Sequence, residues 1–367
     1  MPTTPSTTSH ELLPEQPSPL RLMTSSMTMG LTAALSRMFI YGLNTVEVTG
    51  LQRFLDILDK RKDVEARQRG LLTVCNHISI MDDPLMWGVL PFKYAFNPSN
   101  HRWGLGAHDI CFKNDLGAFF SAGQVLPTHR NHYSPHGGVF QPTISQAIRL
   151  LSSQPFVKPT PAPAADRASA ATDEVSIPGY PPINAHNRYS WVHVFPEACV
   201  HQHPRMFMRY FKWGVSRLIL ESEPMPDVLP IFIDGTHRIM AEDRTWPRFL
   251  PRFGVKFRVA FGEPVDGEKT FGDLRAQWQE LVRQQKEAKV PRVMGELSDE
   301  LKYGEKAVQL RIEVARRVRE EVLKVRRGMG YPDEEPPGYE LAETWAREPG
   351  NDKFKSNVDD SLINRRQ

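Results

Sequence analysis

Apolar residues recur along the chain in two alternating patterns. Short apolar runs bounded by polar residues are typical of buried strands, and longer stretches with apolar residues three or four positions apart are typical of helices. The short runs predict strands at Leu71–Cys75, Trp191–Phe195, Val228–Asp234 and Val255–Gly262. The longer stretches predict helices at Pro84–Leu90, Gln141–Leu151, Phe207–Glu221 and Phe271–Lys286. This alternation indicates a single α/β domain over about residues 45–265, with a mixed, mainly parallel sheet flanked by helices.

The segment before this domain has the pattern of a helix at a membrane surface. Leu22–Ser36 contains no charged residue, and Arg21 and Arg37 flank it. One face of the predicted helix carries Met27, Leu31, Ala34, Leu35 and Met38. A membrane span needs about 20 mostly apolar residues, whereas this segment is shorter and interrupted by Thr and Ser. We therefore expect residues 20–44 to form a helix that lies in a membrane interface, with packing against the core as the alternative.

The remaining boundaries follow shifts in composition. Residues 1–19 are rich in Pro, Ser and Thr, and we expect them to be disordered. Residues 154–188 are rich in Pro and Ala, which predicts a low-complexity surface insertion within the domain. We expect residues 266–328 to form a helical C-terminal region and residues 329–367 to form a poorly ordered tail. The helical region has an apolar stripe made of Leu310, Val314, Val318, Val322 and Val325.

The charge, cysteine and histidine content of the chain limits the classes of function that it can have. The chain has 46 Lys and Arg against 43 Asp and Glu, a net charge of +3, which is far from the dense basic field of a nucleic-acid binder. Cys75, Cys111 and Cys199 are widely spaced and predict neither a disulfide framework nor a Cys-x-x-Cys metal site. His201 and His203 lack a further ligand at zinc-binding spacing, so we expect no metal.

The stretch Asn76–Pro84 carries the most informative chemistry. It directly follows a predicted strand, where open α/β folds usually place functional groups. His77 and Asp82 would point about 140° apart on one continuous helix, so they can meet only if the chain bends between them. Asp83 suits the cap of a new helix and Pro84 its first position, which makes a bend plausible. We predict that His77 is a general base oriented by Asp82, acting on a hydroxyl that attacks an ester or thioester.

Two further residues are candidates for the substrate site. Glu197 follows the strand that ends near Phe195, where it could hold a hydroxyl or a backbone donor, or simply be a solvated turn residue. Arg130 has a guanidinium suited to a phosphate, although a surface role is the alternative.

The stretch from Pro204 to Leu220 predicts a second membrane-surface helix. Arg205, Arg209 and Lys212 would share one face of it. Phe211 would lie on an apolar face, and Trp213 is an aromatic residue suited to a headgroup layer. We therefore list Lys212 with the substrate-binding candidates and Phe211 and Trp213 with the membrane-interface candidates, with a buried helix as the alternative.

These strings together resemble the glycerophospholipid acyltransferase superfamily. Four segments of the chain resemble, in order, the four sequence motifs of that superfamily. These segments are Asn76–Asp82, Gly123–Arg130, Phe195–Glu197 and Leu229–Ile231. Finer details resemble the tafazzin branch, of fungal type, at Asn76–Pro84, Trp191–Glu197 and Phe211–Ile219. The chain departs from the superfamily at Ala198, because CoA-dependent members usually continue with Gly-Thr-Arg and tafazzins usually have Gly there. This departure argues against a simple glycerol-phosphate acceptor.

The resemblance implies an enzyme that moves acyl chains between phospholipids and lysophospholipids without CoA and without a cofactor, notably in cardiolipin and monolysocardiolipin remodelling. It implies His77 as base, Asp82 as its partner, and Arg130 and Glu197 at the substrate site. It also implies monotopic binding to mitochondrial membranes that face the intermembrane space. An acyl-CoA-dependent lysophospholipid acyltransferase is the alternative, followed by a non-catalytic lipid-binding scaffold and a hydrolase. Oligomeric state and acyl-chain preference are left open.

Overall fold

The computed structural model describes residues 18–113, 116–131, 133–153, 188–287, 297–346 and 355–363. The predicted disordered start lies outside these residues except for positions 18 and 19. Of the predicted insertion, only residue 188 lies within them.

Seven strands form one sheet at the centre of the described chain. The strands are β1 (Thr45–Thr49), β2 (Leu71–Cys75), β3 (Arg102–Ala107), β4 (Val125–Thr128), β5 (Trp191–Val194), β7 (Asp227–Asp234) and β8 (Lys256–Phe261). Their order is β1-β8-β7-β2-β5-β3-β4, and only the β7–β8 pair is antiparallel. A short antiparallel pair joins β6 (His201–Gln202) to β9 (Leu362–Ile363). The predicted mixed, mainly parallel sheet is therefore confirmed.

Helices cover both faces of the sheet, so its central strands are buried on both sides. Every residue of β2 and β5 is buried, which explains their continuous apolar character. The helices are α1 (Pro19–Leu43), α2 (Leu51–Lys60), α3 (Asp82–Trp87), α4 (His108–Cys111), α5 (Leu116–Ala122), α6 (Pro142–Leu151), α7 (Gly214–Glu221), α8 (Thr236–Ile239), α9 (Gly267–Glu287), α10 (Asp299–Tyr303), α11 (Glu305–Gly328) and α12 (Ala342–Trp345). The predicted stripe of α11 is largely buried, and this helix packs against β7 and α7.

Helix α1 begins where its sequence signals a start. The Ser18 hydroxyl accepts a hydrogen bond from the Arg21 N–H at 3.3 Å, and Pro19 occupies the first turn. The side facing the protein is lined mainly by the small or polar residues Ser25, Gly30 and Ser36, with the apolar Ile40 near the end of the helix. The large apolar residues face outward instead: Leu20, Met23, Met27, Leu31, Leu35 and Met38 are each more than half exposed. Among the described residues, no helix has the length and apolar character to cross a membrane.

The predicted helix at Phe207–Glu221 forms only from Gly214 onward, as α7. Residues 203–213 are irregular because their backbone groups bond to side chains from elsewhere. Arg319 of α11 donates to the carbonyls of Arg209 and Met208, and Arg326 donates to that of Met206. These carbonyls are the acceptors that a helix would need for its own hydrogen bonds.

The described part of the tail differs from the poorly ordered segment that we expected. Tyr339 and Trp345 are buried against Phe207, and the Trp345 indole donates to the Tyr339 carbonyl at 2.8 Å. Strand β9 pairs with β6, close to the end of β5. Burial of the aromatic residues explains why this Pro-rich segment packs on the domain.

Candidate active site

His77 and Asp82 meet beyond the carboxyl end of β2. The His77 Nδ1 lies 2.8 Å from Asp82 Oδ2. A turn makes this possible, since the Asp82 N–H bonds to the Ser79 carbonyl and α3 begins at Asp82 itself. The helix thus starts one residue before the cap that the sequence suggested at Asp83, but the bend brings the two side chains together as predicted.

Asp82 is held by several donors and is completely buried. Its Oδ2 accepts the backbone N–H groups of Ile78 at 2.6 Å and Ser79 at 2.8 Å, in addition to facing His77. Its Oδ1 accepts the hydroxyl of Thr236, the first residue of α8. A carboxylate with these donors has little freedom to rotate, so it fixes the orientation of the His77 ring.

The backbone of His77 is held from the loop that follows β5. Glu197 Oε1 accepts the His77 N–H at 2.8 Å, and the His201 N–H donates to the His77 carbonyl at 2.9 Å. The His77 ring stacks on Phe195, with ring centroids 4.5 Å apart. The side chain remains 22% exposed, so this imidazole is reachable while its partner carboxylate is not.

Glu197 is a buried positioning group rather than a solvated turn residue. Its second oxygen accepts the Arg209 N–H at 2.8 Å. Burial raises the pKa of Glu197, against the opposing effects of His201 and of its backbone donors. Ala198 follows it with φ of 55°, the left-handed conformation that favours glycine.

His201 links Glu197 to the C-terminal tail. Its Nδ1 lies 3.7 Å from Glu197 Oε2, and its Nε2 lies 2.9 Å from Asp359 Oδ2. Burial would raise the pKa of Asp359, but hydrogen bonds from His201 and Ser361 outweigh it and hold that pKa below its ordinary value. The second histidine of the His201-x-His203 pair stacks on Phe207 at 4.4 Å, so the pair serves packing and hydrogen bonding.

Two further polar residues fix the catalytic segment to the sheet. The Asn76 side chain accepts the Ile233 N–H and donates to the Ile233 carbonyl, which joins the end of β2 to β7. Asp83 is paired with Arg102 at the start of β3 and accepts the Trp87 indole. Burial opposes ionisation of Asp83, but Arg102 holds its pKa below the ordinary value.

The structure places Arg130 just after β4, at the same end of the sheet as His77. Arg130 Nε donates to Asp109 Oδ1 at 3.0 Å, its Nη2 also pairs with Asp109, and its guanidinium lies 4.4 Å from the Tyr133 ring centre. Its Nη1 is buried without a hydrogen-bond partner among the described residues. In the part of the chain that the structure describes, Arg130 pairs with Asp109, and no hydrogen bond or ion pair joins it to His77.

The basic and aromatic residues of 204–213 do not form the predicted membrane face. Phe211 is 3% exposed and belongs to the core, because its backbone does not adopt the helix that would have turned it outward. Trp213 is partly buried against the same core. Arg209 is buried with its guanidinium over Trp345, and Lys212 is exposed over Tyr210. By contrast, Met27, Leu31 and Leu35 are exposed on α1.

Sequence reasoning missed three residues that organise the site, Thr236, Arg102 and Asp359, and it considered His201 only as a metal ligand. Thr236 follows β7 at the same edge of the sheet as His77, which is the signal that could have found it. Arg102 begins β3, level with the first residues of β2 and β5, so its place on the strand gave no such signal. Asp359 carried no such signal, because it reaches the site from a tail segment with little regular structure.

Comparisons with known proteins identify the family of the chain. A family model described as Acyltransferase matches residues 46–234. The chain is 38% identical over 338 residues to tafazzin of Saccharomyces cerevisiae, covering 90% of this chain and 84% of the yeast protein. It is 28% identical over 229 residues to the taffazin of Dictyostelium discoideum, covering 62% and 65% of the two chains. It is 30% identical over 208 residues to N-acylphosphatidylethanolamine synthase of Arabidopsis thaliana, covering 55% and 59%. The family match runs from β1 to β7 and includes His77, Asp82 and Glu197.

Proposed function

The chain belongs to the acyltransferase family, within its tafazzin branch, and on that basis we propose that it is a CoA-independent transacylase that moves fatty acyl chains between phospholipids and lysophospholipids. The observation that carries the proposal is the His77–Asp82 pair, with a buried carboxylate beside an imidazole that is partly exposed. A base of this kind needs no serine or cysteine nucleophile when the acceptor hydroxyl belongs to a second lipid.

In the proposed reaction, His77 carries one proton from the hydroxyl oxygen of the acceptor lipid to the glycerol oxygen of the donor lipid. Asp82 holds the His77 Nδ1–H, which leaves the lone pair on Nε2. Nε2 takes the proton of the lysophospholipid hydroxyl while that oxygen attacks the ester carbonyl of the donor phospholipid. The tetrahedral intermediate then expels the donor's glycerol oxygen, which takes the proton back from Nε2. The products are an acylated acceptor and a new lysophospholipid, so the reaction can run in both directions.

Membership of the tafazzin branch also leads us to propose cardiolipin and monolysocardiolipin among the substrates. The same membership suggests mitochondrial membranes that face the intermembrane space as the place of action. The exposed apolar stripe of α1 supports monotopic binding, because six large apolar side chains turned toward water are stabilised when they enter a lipid interface. Arg130, whose Nη1 has no hydrogen-bond partner among the described residues, and the exposed Lys212 are the proposed contacts for lipid phosphate.

The test uses purified protein and liposomes that contain a phospholipid with a labelled acyl chain, a lysophospholipid acceptor and no CoA. We expect label to reach the acceptor, and His77→Ala to abolish this transfer without changing the circular dichroism spectrum. Asp82→Asn should lower kcat by roughly a thousandfold or more, since it disturbs the tautomer that the base requires. Asp56→Asn, an exposed change on α2, is the control and should leave kcat unchanged.

A parallel reaction replaces the donor phospholipid with acyl-CoA. If label moves only from acyl-CoA, the enzyme is the acyl-CoA-dependent lysophospholipid acyltransferase and the transacylase proposal fails. If label is released as free fatty acid, water is the acceptor and the enzyme is a hydrolase.

A further inference from the structure

The loop formed by residues 244–253, between α8 and β8, exposes an unusual amount of aromatic surface. Trp246 is 85% exposed, Phe249 76% and Phe253 71%, and Leu250 is 55% exposed between them. Scattered apolar residues are normal on a protein surface, but this number within one short loop indicates a surface that is covered by a partner.

Basic residues alternate with these aromatic residues and give the loop a fixed shape. Arg248 donates to the carbonyls of Arg244 and Glu242, and Arg244 donates to those of Arg248 and Ala241. The Arg252 N–H bonds to the Ile239 carbonyl at 2.9 Å. The loop is therefore closed by its own hydrogen bonds, and it carries three guanidinium groups beside its apolar side chains.

The loop lies between α1 and the catalytic segment. The Gly254 N–H donates to the Leu43 carbonyl at the end of α1, and the Val255 N–H bonds to the Asn44 side chain. On its other side, the Met240 carbonyl accepts the Ser79 hydroxyl at 3.5 Å, two residues from His77. The loop thus adjoins the C-terminal end of α1, the helix that carries the apolar stripe, although about 200 residues separate them, and it begins beside the candidate active site.

We propose that loop 244–253 is a second membrane-docking element, which inserts its aromatic residues into the headgroup region of a bilayer that contains anionic phospholipids. Trp and Phe are suited to this layer, and arginine side chains beside them attract anionic lipid. Docking there places the opening of the site against the bilayer, together with α1. The inference rests on the proposed function only in that lipid is the substrate, because docking itself requires no turnover.

The test is co-sedimentation with vesicles of phosphatidylcholine alone and of phosphatidylcholine mixed with phosphatidylglycerol. The variant Trp246→Ser/Phe249→Ser should bind the mixed vesicles at least about a hundredfold more weakly, since each aromatic residue contributes roughly a factor of ten or more. Arg252→Gln should weaken binding about fivefold on the mixed vesicles only, and added salt should remove that difference. Arg252 is chosen because the side chains of Arg244 and Arg248 shape the loop.

Matched controls come from another exposed region, the start of α11. Tyr303, the last residue of α10, is 67% exposed. Lys306, near the start of α11, is exposed and lies about 30 Å along that helix from Arg326, which bonds the segment next to the site. Tyr303→Ser and Lys306→Gln should bind both kinds of vesicle like the parent protein. Parent-like unfolding by urea in every variant shows that the loop changes act at the surface.

His77→Ala is included to separate docking from catalysis, and it should bind vesicles like the parent. If the parent protein transfers no acyl groups but the loop variants still lose vesicle binding, the proposed function fails and the docking loop stands. Parent-like binding by the Trp246→Ser/Phe249→Ser variant overturns the docking loop. The same conclusion follows if that variant changes only self-association, measured by analytical ultracentrifugation, because the loop would then contact a second copy of the chain.

Discussion

At the scale of single residues, the site depends on a set of polar groups that runs from the backbone of His77 to the C-terminal tail. Glu197 holds the His77 N–H, His201 holds the His77 carbonyl, and Asp359 holds the His201 ring. Ser361 donates to Asp359 and completes the set. Glu197 and His201 are buried and both bond the His77 backbone, and Asp359 fixes the His201 ring, so loss of one of these groups should displace the base rather than only weaken the fold.

Asp359→Asn tests this set of groups. The asparagine amide has one acceptor oxygen where the carboxylate has two, so it cannot bond both His201 and Ser361 as Asp359 does. The segment that holds the His77 backbone should therefore shift. A displacement of about 1 Å at a reacting group costs up to about a hundredfold in rate, and we expect kcat to fall by roughly ten- to a hundredfold with KM little changed. Steady-state kinetics of acyl transfer measures both constants.

The neighbouring Asp360 provides the control, since its side chain is 82% exposed and pairs only with the exposed Lys355 among the described residues. Asp360→Asn should keep the parent kcat, and Asp359→Glu should recover part of the loss. Equal kcat values for Asp359→Asn and the parent would mean that the tail contributes packing alone.

At the scale of elements, apolar patterning predicted the central strands β2, β5, β7 and β8 to within one residue at each end. It missed β1, β3 and β4 because these strands lack a continuous apolar run: β1 has an alternating edge pattern, and β3 contains Arg102 and two glycines. The pairing of His77 with Asp82 followed from one local string. Asp359 and the Arg319 contacts could not be predicted from local sequence, since they join segments more than 100 residues apart.

Arg319 is the residue that makes segment 203–213 differ from its predicted helix. It is 3% exposed and bonds the Met208 and Arg209 carbonyls and the Glu334 carboxylate. Arg319→Met removes these donors and takes the only cation from the nearly buried Glu334 carboxylate among the described residues, leaving it the Met208 N–H, so the free energy of unfolding should fall by about 3 kcal/mol or more. Urea unfolding measures the change.

Arg316→Met is the matched control, because Arg316 is on the same helix with a 53% exposed side chain paired to Glu313. It should change stability by less than about 1 kcal/mol. Similar losses in both variants would show that segment 203–213 does not depend on the bonds from Arg319. Arg319→Met should also lower kcat, since the Arg209 N–H in that segment holds Glu197.

At the scale of the whole molecule, one sheet gathers its polar groups from distant parts of the chain. His77 follows β2, Glu197 follows β5, and Thr236 follows β7, and these three strands are neighbours in parallel. The carboxyl ends of parallel strands meet at one edge, which explains why the site lies there. The surface beside that edge carries α1 and loop 244–253, so catalytic and apolar surfaces adjoin.

The same architecture predicts that residues 154–187 can be removed. The two ends of this segment are close, because the Tyr189 N–H donates to the Ser152 carbonyl at 3.1 Å and the Ser190 N–H donates to the Leu150 carbonyl at 2.7 Å. Replacing the segment with a four-residue Gly-Ser linker should therefore preserve the fold. Closing a shorter loop costs less entropy, so the free energy of unfolding should rise by up to about 2 kcal/mol. Urea unfolding and acyl transfer from liposomes measure the outcome, and kcat should match that of the full chain. A variant that unfolds at lower urea concentration would show that residues 154–187 contribute to the packed domain, contrary to the surface insertion that their composition indicates.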